Sequence, residues 1–178
     1  DAIVFGENLD GPVDWDVNVL KVTGPTNTVR AVLFGYACHG TSIAGDDFYI
    51  VSGDYMAYAR DQIESLFPGA RALYVTGMGA DSNPSPRGTL LDAKRQGVEL
   101  AGAVMSVLNR PMRPVRGNLK LAYAEAELPF EDPPGREQLA KDAQSKEVYV
   151  KKRAETYLKY LAAGEKPPTG IQLPMAAI

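Results

Sequence analysis

Between Val29 and Thr76 two apolar runs rich in β-formers flank a segment of helical period, and few folds accommodate that order. Val29 to Cys38 (VRAVLFGYAC) is almost continuously apolar, which is the pattern of a central strand covered on both faces. Ser52-Gly53-Asp54 then has the chemistry of a helix start, Tyr55, Ala59, Ile63 and Leu66 fall at helical spacing, and Pro68-Gly69 stops the pattern. Ala70 to Thr76 (ARALYVT) reads as the next buried strand. Strand, helix and strand with short connections are the sequence form of a crossover unit, so the helix is expected to lie across a sheet.

The flanks extend that sheet. Asp16 to Val22 alternates polar and apolar positions as a half-buried strand would, and Gly24-Pro25-Thr26-Asn27 supplies turn chemistry after it. Thr89, with Asp92 three residues later, forms a capping box for a long helix through about Leu108, ended by Pro111 and Pro114. Leu119, Leu121 and Tyr123 alternate with Asn118, Lys120 and Ala122, which predicts a further strand near an edge. From Pro129 to Pro168 the composition changes. Glu131 to Gly135 is a loop, Arg136 to Ala163 has helical period, and Val150, Ala154, Tyr157, Leu158 and Leu161 make one apolar stripe in it. The fold class is therefore α/β: a mixed β-sheet flanked by helices, with residues 1–178 as a single α/β domain and a helical excursion over 129–168.

Composition narrows the function. A chain of 178 residues, 45% apolar, buries a core without needing disulfides. Nineteen Lys plus Arg against twenty-two Asp plus Glu give a formal charge of -3, which lacks the basic excess that nucleic acid binding draws on. No nucleic acid partner is expected. The single cysteine, Cys38, forms no internal disulfide and no thiolate metal cage. The apolar runs are only a few residues long, far short of the ~20 that span a bilayer. The chain opens on Asp1-Ala2-Ile3-Val4-Phe5 without an initiator methionine and closes on the strand-like run Ile171 to Ile178, so it is expected to be a piece of a longer protein.

His39, the only histidine, stands where a buried strand gives way to Gly40-Thr41-Ser42. Ligands collect at the carboxyl ends of strands in open α/β sheets, so the position suits a metal ligand or a general base, or else a histidine that hydrogen-bonds loop backbone. One histidine does not make a zinc site, because zinc takes three or four protein ligands. The loop Gly77 to Gly88 leaves the next buried strand with three glycines, two prolines, Asp81, Ser82, Asn83 and Arg87, a polar rim expected at the same edge as His39. Gly77-Met78-Gly79 could cradle a phosphate, although the further glycine of a dinucleotide loop is absent and Asp81 would oppose the anion. A phosphate- or nucleotide-binding domain is thus one alternative, and a non-catalytic binding domain another. Ser82 lacks the Gly-x-Ser-x-Gly elbow of a nucleophile and reads equally as a turn residue. Asp46, Asp47 and Asp54 offer oxygen ligands for a hard cation, with Asp54 reading also as a helix-terminal residue. Cys38 and His39 are adjacent on a strand and point to opposite faces, which places Cys38 in the core. Tyr149, Tyr157 and Tyr160 with nearby lysines read as a packing face or as a contact for lipid headgroups.

Three blocks together carry a resemblance. Tyr36-Ala37-Cys38-His39-Gly40-Thr41-Ser42, then Ser52-Gly53-Asp54 before a Tyr-Ala-Arg helix, then Gly79-Ala80-Asp81-Ser82-Asn83-Pro84 resemble the N-terminal catalytic domain of neutral, non-lysosomal ceramidases over roughly Gly11 to Asn109. The resemblance implies a zinc-dependent amidase that hydrolyses the N-acyl bond of ceramide, or of a related lipid amide, to an amine and a fatty acid. It implies that His39 is a zinc ligand, that another histidine ligand precedes this chain, and that glutamate and tyrosine ligands follow it, so the remainder of the chain completes the site. It further implies a ceramide-like lipid substrate, a membrane surface as partner, and a secreted, extracytoplasmic or membrane-surface location. The family pattern Gly-Asp-x-Ser-Pro, aligned on Asp81 and Pro84, puts Asn83 rather than Ser82 in the serine's place. Either Ser82 takes the role one position earlier, or a zinc-bound water attacks the amide while Asn83 donates to the developing oxyanion. The second reading is the one adopted, with Asp81, Ser82 and Asn83 as the catalytic loop.

Overall fold

The alternation over residues 16–22 becomes strand β1 (Asn18–Thr23), which turns through Gly24 to Thr28 into strand β2 (Val29–Tyr36). The turn closes with Gly24 N–H donating to Thr28 O and Asn27 N–H to Gly24 O, and Asn27 sits at φ 61°, a left-handed backbone that asparagine tolerates better than most residues. The structure is a computed structural model and describes residues 6–177. The readings placed on Asp1 to Phe5 and on Ile178 lie outside the described residues.

Helix α1 (Asp54–Leu66) carries the chain back to strand β3 (Arg71–Thr76), which lies parallel to β2, while β1 lies antiparallel on β2's other side. The sheet order is β1-β2-β3, a mixed sheet as expected. A short 3-10 turn at Gly45–Tyr49, which the sequence did not announce, precedes α1. Helix α2 (Leu90–Leu108) starts at Thr89, whose hydroxyl accepts from the Asp92 N–H while the Asp92 carboxylate accepts from the Thr89 N–H. The capping box read from the sequence is therefore formed.

Val32 and Phe34 of β2 and Ala72 of β3 face a core completed by Ala59 and Ile63 of α1 and by Leu100, Ala101, Val104 and Leu108 of α2. Phe34 meets Tyr74 edge to face, ring centroids 5.4 Å apart. The alternate residues of the strands share the other face: Leu20 opposite Leu33, and Leu33 opposite Leu73. Leu20 is 42% exposed, Leu73 53% and Val75 52%. Strand β2 is thus apolar on both faces, as its sequence shows, but the helices α1 and α2 cover only one of them.

These elements make up one compact unit, Asp1–Pro114, and Val115–Ile178 forms a second. In the second unit, strand β4 (Ala122–Pro129) pairs antiparallel with β5 (Gly170–Ala177), and helices α3 (Arg136–Asp142) and α4 (Val148–Ala163) lie between them in sequence. Leu139 of α3 and Ala154 of α4 are its buried residues, and an ion pair of 3.1 Å joins Arg153 of α4 to Asp142 at the end of α3. The strand expected around 118–123 begins later, at Ala122, because pairing with β5 rather than local alternation sets its limits. Among the described residues no helix is long and apolar enough to cross a membrane.

Candidate functional site

The carboxyl end of β2 is held from below by tyrosines. The Tyr55 hydroxyl, from the first turn of α1, donates to Cys38 O at 2.8 Å, the Tyr74 hydroxyl donates to Tyr36 O at 2.8 Å, and the two hydroxyl oxygens are 3.0 Å apart. Burial pushes the Tyr55, Tyr74 and Tyr36 hydroxyls and the Cys38 thiol above their ordinary pKa values. All four stay protonated near neutrality, so Tyr55 and Tyr74 act as structural donors, and Cys38, 8% exposed in the core, is no nucleophile. Its neighbour His39 is exposed, but β2 ends at Tyr36 and Ala37 and Cys38 are both buried, so the two residues lie in the loop beyond the strand and their difference is set by the loop rather than by strand alternation.

Two loops leave the strands side by side and are stitched together. His39 N–H donates to Ser82 O at 2.9 Å, Gly88 N–H to Ser42 O at 2.8 Å, and Ala44 N–H to Gly88 O at 3.2 Å. The Thr41 hydroxyl contacts Asn83 Oδ1 at 3.0 Å, and Arg87 Nη1 contacts Thr41 Oγ1 at 3.3 Å. Gly79 makes this approach possible: a Cβ there would stand 2.3 Å from the Cys38 nitrogen and the Ala37 carbonyl carbon. Gly77 N–H donates to Tyr36 O and Gly79 N–H to Gly77 O. Those amides are engaged within the protein, so close packing of backbone on backbone accounts for the two glycines without a phosphate.

Beneath the loops lies Asp54, 6% exposed and at φ 54°. Its carboxylate accepts from the N–H groups of Ser42 at 2.9 Å, Ile43 at 3.3 Å and Tyr55 at 2.6 Å. The Ser42 hydroxyl, fully buried, donates to Gln96 Oε1 of α2 at 2.6 Å, and Gln96 Nε2 donates to Pro86 O. Asp47 accepts from Leu90 N–H at 2.9 Å, at the start of α2. Asp54 and Asp47 thus serve backbone donors at separate places, and the described residues contain no group of three His, Cys, Asp or Glu side chains arranged to hold a metal.

The structure therefore brings His39, Ser82 and Asn83 to one edge. Ser82 enters it through its backbone, accepting from His39 and donating to Gly79 O at 3.2 Å. Asp81 is exposed in the same loop. His39 alone supplies no metal site, and a zinc ion there would need ligands from outside the described residues. Thr41, Arg87, Asp54 and Gln96 were not singled out for these roles in the sequence. Thr41 lies in the segment Tyr36 to Ser42, Asp54 in Ser52-Gly53-Asp54 and Arg87 in the Gly77 to Gly88 loop, whereas Gln96 left no signal. An open cleft of about 420 Å³ runs along the uncovered sheet face past Leu33, Gly35 and Val75 to Ala37 and Gly77, with Asp14 and Asp16 on its rim.

No family model matches the chain, and no curated protein matches it significantly. Solved structures do. The crystal structure of neutral ceramidase from Pseudomonas aeruginosa superimposes with a TM-score of 0.61 at 14% identity, over 93% of this chain and 33% of that one. A ceramidase complexed with C2 superimposes with a TM-score of 0.57 at 15% identity, over 67% of this chain and 20% of that one. This chain spans a third or less of the solved chains it matches, and it shares the fold of that part of a neutral ceramidase.

Proposed function

We propose that this chain is the part of a ceramidase-like amide hydrolase that carries one edge of its catalytic site, and that the bond cut is the N-acyl amide of a ceramide or related lipid amide. Water adds across the carbonyl carbon–nitrogen bond, leaving a fatty acid carboxylate and a protonated amine. The observation that carries this reading is the stitched pair of loops, which holds His39 and Asn83 at the same strand ends within a ceramidase fold.

His39 is the residue of this chain fitted to ligate zinc, with the remaining ligands contributed by the longer protein; bound there, zinc would supply a Lewis acid for the carbonyl. Asn83 donates a hydrogen bond to the carbonyl oxygen as it gains negative charge, a contribution worth roughly 3 kcal/mol where such donors have been removed. Asp81 and Ser82 shape the loop, and the backbone of Ser82 fixes it to His39. The cleft along the apolar sheet face offers a lipid chain a route to this edge. A lipid amide substrate places the enzyme at a membrane surface, outside the cytoplasm by the same resemblance.

The test is hydrolysis of a labelled short-chain ceramide by the full-length protein. Labelled fatty acid should be released, the release should stop on chelation, and zinc should restore it. A well-folded, zinc-loaded protein that leaves ceramide intact overturns the reading.

A further inference from the structure

We infer that Thr41 and Arg87 are positioning residues that fix which way the Asn83 side-chain amide faces, turning its NH2 group outward as a hydrogen-bond donor to an oxygen of the substrate. The inference deepens the proposed function and rests on it for the identity of that oxygen, the acyl carbonyl of the amide.

A guanidinium has N–H donors and no acceptor. In the contact between Arg87 Nη1 and Thr41 Oγ1, 3.3 Å long, the hydroxyl oxygen must therefore accept. That hydroxyl owns a single hydrogen, and it lies along the 3.0 Å contact to Asn83. Asn83 accepts it through Oδ1, because its nitrogen has no lone pair to offer. With the oxygen committed to Thr41, Nδ2 and its two hydrogens face away from Thr41, and among the described residues Nδ2 makes no hydrogen bond.

Arg87 is essential to this polarity. Without a group that only donates, the hydroxyl would turn and accept from Nδ2 equally well, and either face of the amide would be presented. Arg87 belongs to none of the ion pairs among the described residues, so no carboxylate among them neutralises its charge within 4.0 Å. A donor chain beginning at a cation also polarises each hydroxyl and amide along it, as hydrogen-bonded chains do.

The experiment is steady-state ceramide hydrolysis by the full-length protein and its variants, paired with a neutron map of the wild type. Thr41→Val should lower kcat about tenfold with KM within about twofold, since the interaction it supports develops in the transition state. Thr41→Ser, which keeps the hydroxyl, should restore kcat. Arg87→Lys, still only a donor, should stay near wild type, whereas Arg87→Met should fall as Thr41→Val does. The double variant Thr41→Val with Arg87→Met should be no slower than either alone, because both break one chain. Losses that fall on KM, losses that multiply in the double variant, or a slow Thr41→Ser overturn the inference. Deuterium on Nδ2 directed away from Thr41 supports it, and Nδ2 directed at Thr41 overturns it whether or not ceramide is cut. If the amide faces outward as inferred and the wild type still cuts no amide, the ceramidase reading fails while the positioning stands.

Discussion

Asp54 shows how one side chain can set a site it does not touch. It begins α1 at φ 54°, a left-handed conformation that costs most residues on the order of 1 kcal/mol and that aspartate tolerates better. In exchange its buried carboxylate satisfies the amides of Ser42 and Ile43, which follow His39 in the loop. Asp54→Ala should lose about 2–4 kcal/mol of unfolding free energy, through the three amides it leaves without their acceptor and the strained backbone. Asp54→Asn, which keeps an oxygen acceptor and tolerates the backbone, should lose less. Urea titration checks the order, and an Asp54→Ala variant within about 0.5 kcal/mol of wild type would contradict it. Strand-end position and a motif marked His39 and Asn83 as candidates, and the structure brings them to one edge. Thr41 and Arg87 were not assigned their role, since their contacts span 42 and 46 residues and leave no local period. The conflict at Asp54, a left-handed residue opening a helix, also has no composition signature.

Helices α1 and α2 meet through Gly97, where a Cβ would stand 2.4 Å from the Tyr58 Cβ and 2.7 Å from the Tyr55 carbonyl oxygen. Gly97→Ala gains helix propensity but forces the two helices apart, and overpacking of this kind costs about 1–3 kcal/mol. Because Tyr55 braces Cys38 from that same turn and Gln96 precedes Gly97, the melting temperature should fall, measured by thermal denaturation followed by circular dichroism. An unchanged or higher melting temperature would show that the contact is looser than the geometry states. The elements of this unit were legible because each signal was local: alternation for β1, an almost continuously apolar run for β2, a β-rich run for β3, Pro68-Gly69 after α1, and the Thr89–Asp92 box for α2. Partnerships were less so. The helical period over 136–163 concealed a break, where Gln144 N–H donates to Lys141 O and Ser145 N–H to Asp142 O, ending α3 before α4 begins at Val148. The alternation near Tyr123 likewise could not name β5 as its partner, because strand pairing is long-range.

At the largest scale, the unit that holds β1 to β3 has a covered sheet face, an uncovered one and an edge where β2 and β3 end and the two loops are joined. The apolar character of β2 was visible in the sequence, but only the structure shows that α1 and α2 lie on a single side and leave Leu20, Leu73 and Val75 exposed. The resemblance first read from three short blocks is matched by fold over most of the chain, at an identity of 14% that family-level comparison does not register. Low identity with retained fold is the situation in which site residues must be tested one at a time. The most direct test compares the initial rate of ceramide hydrolysis of full-length wild type with that of His39→Ala, both shown to be folded and both supplied with zinc. Hydrolysis by the wild type, reduced at least about a thousandfold in His39→Ala together with loss of bound zinc, is the predicted result. Equal rates in the two proteins would contradict the placement of the catalytic site at this edge.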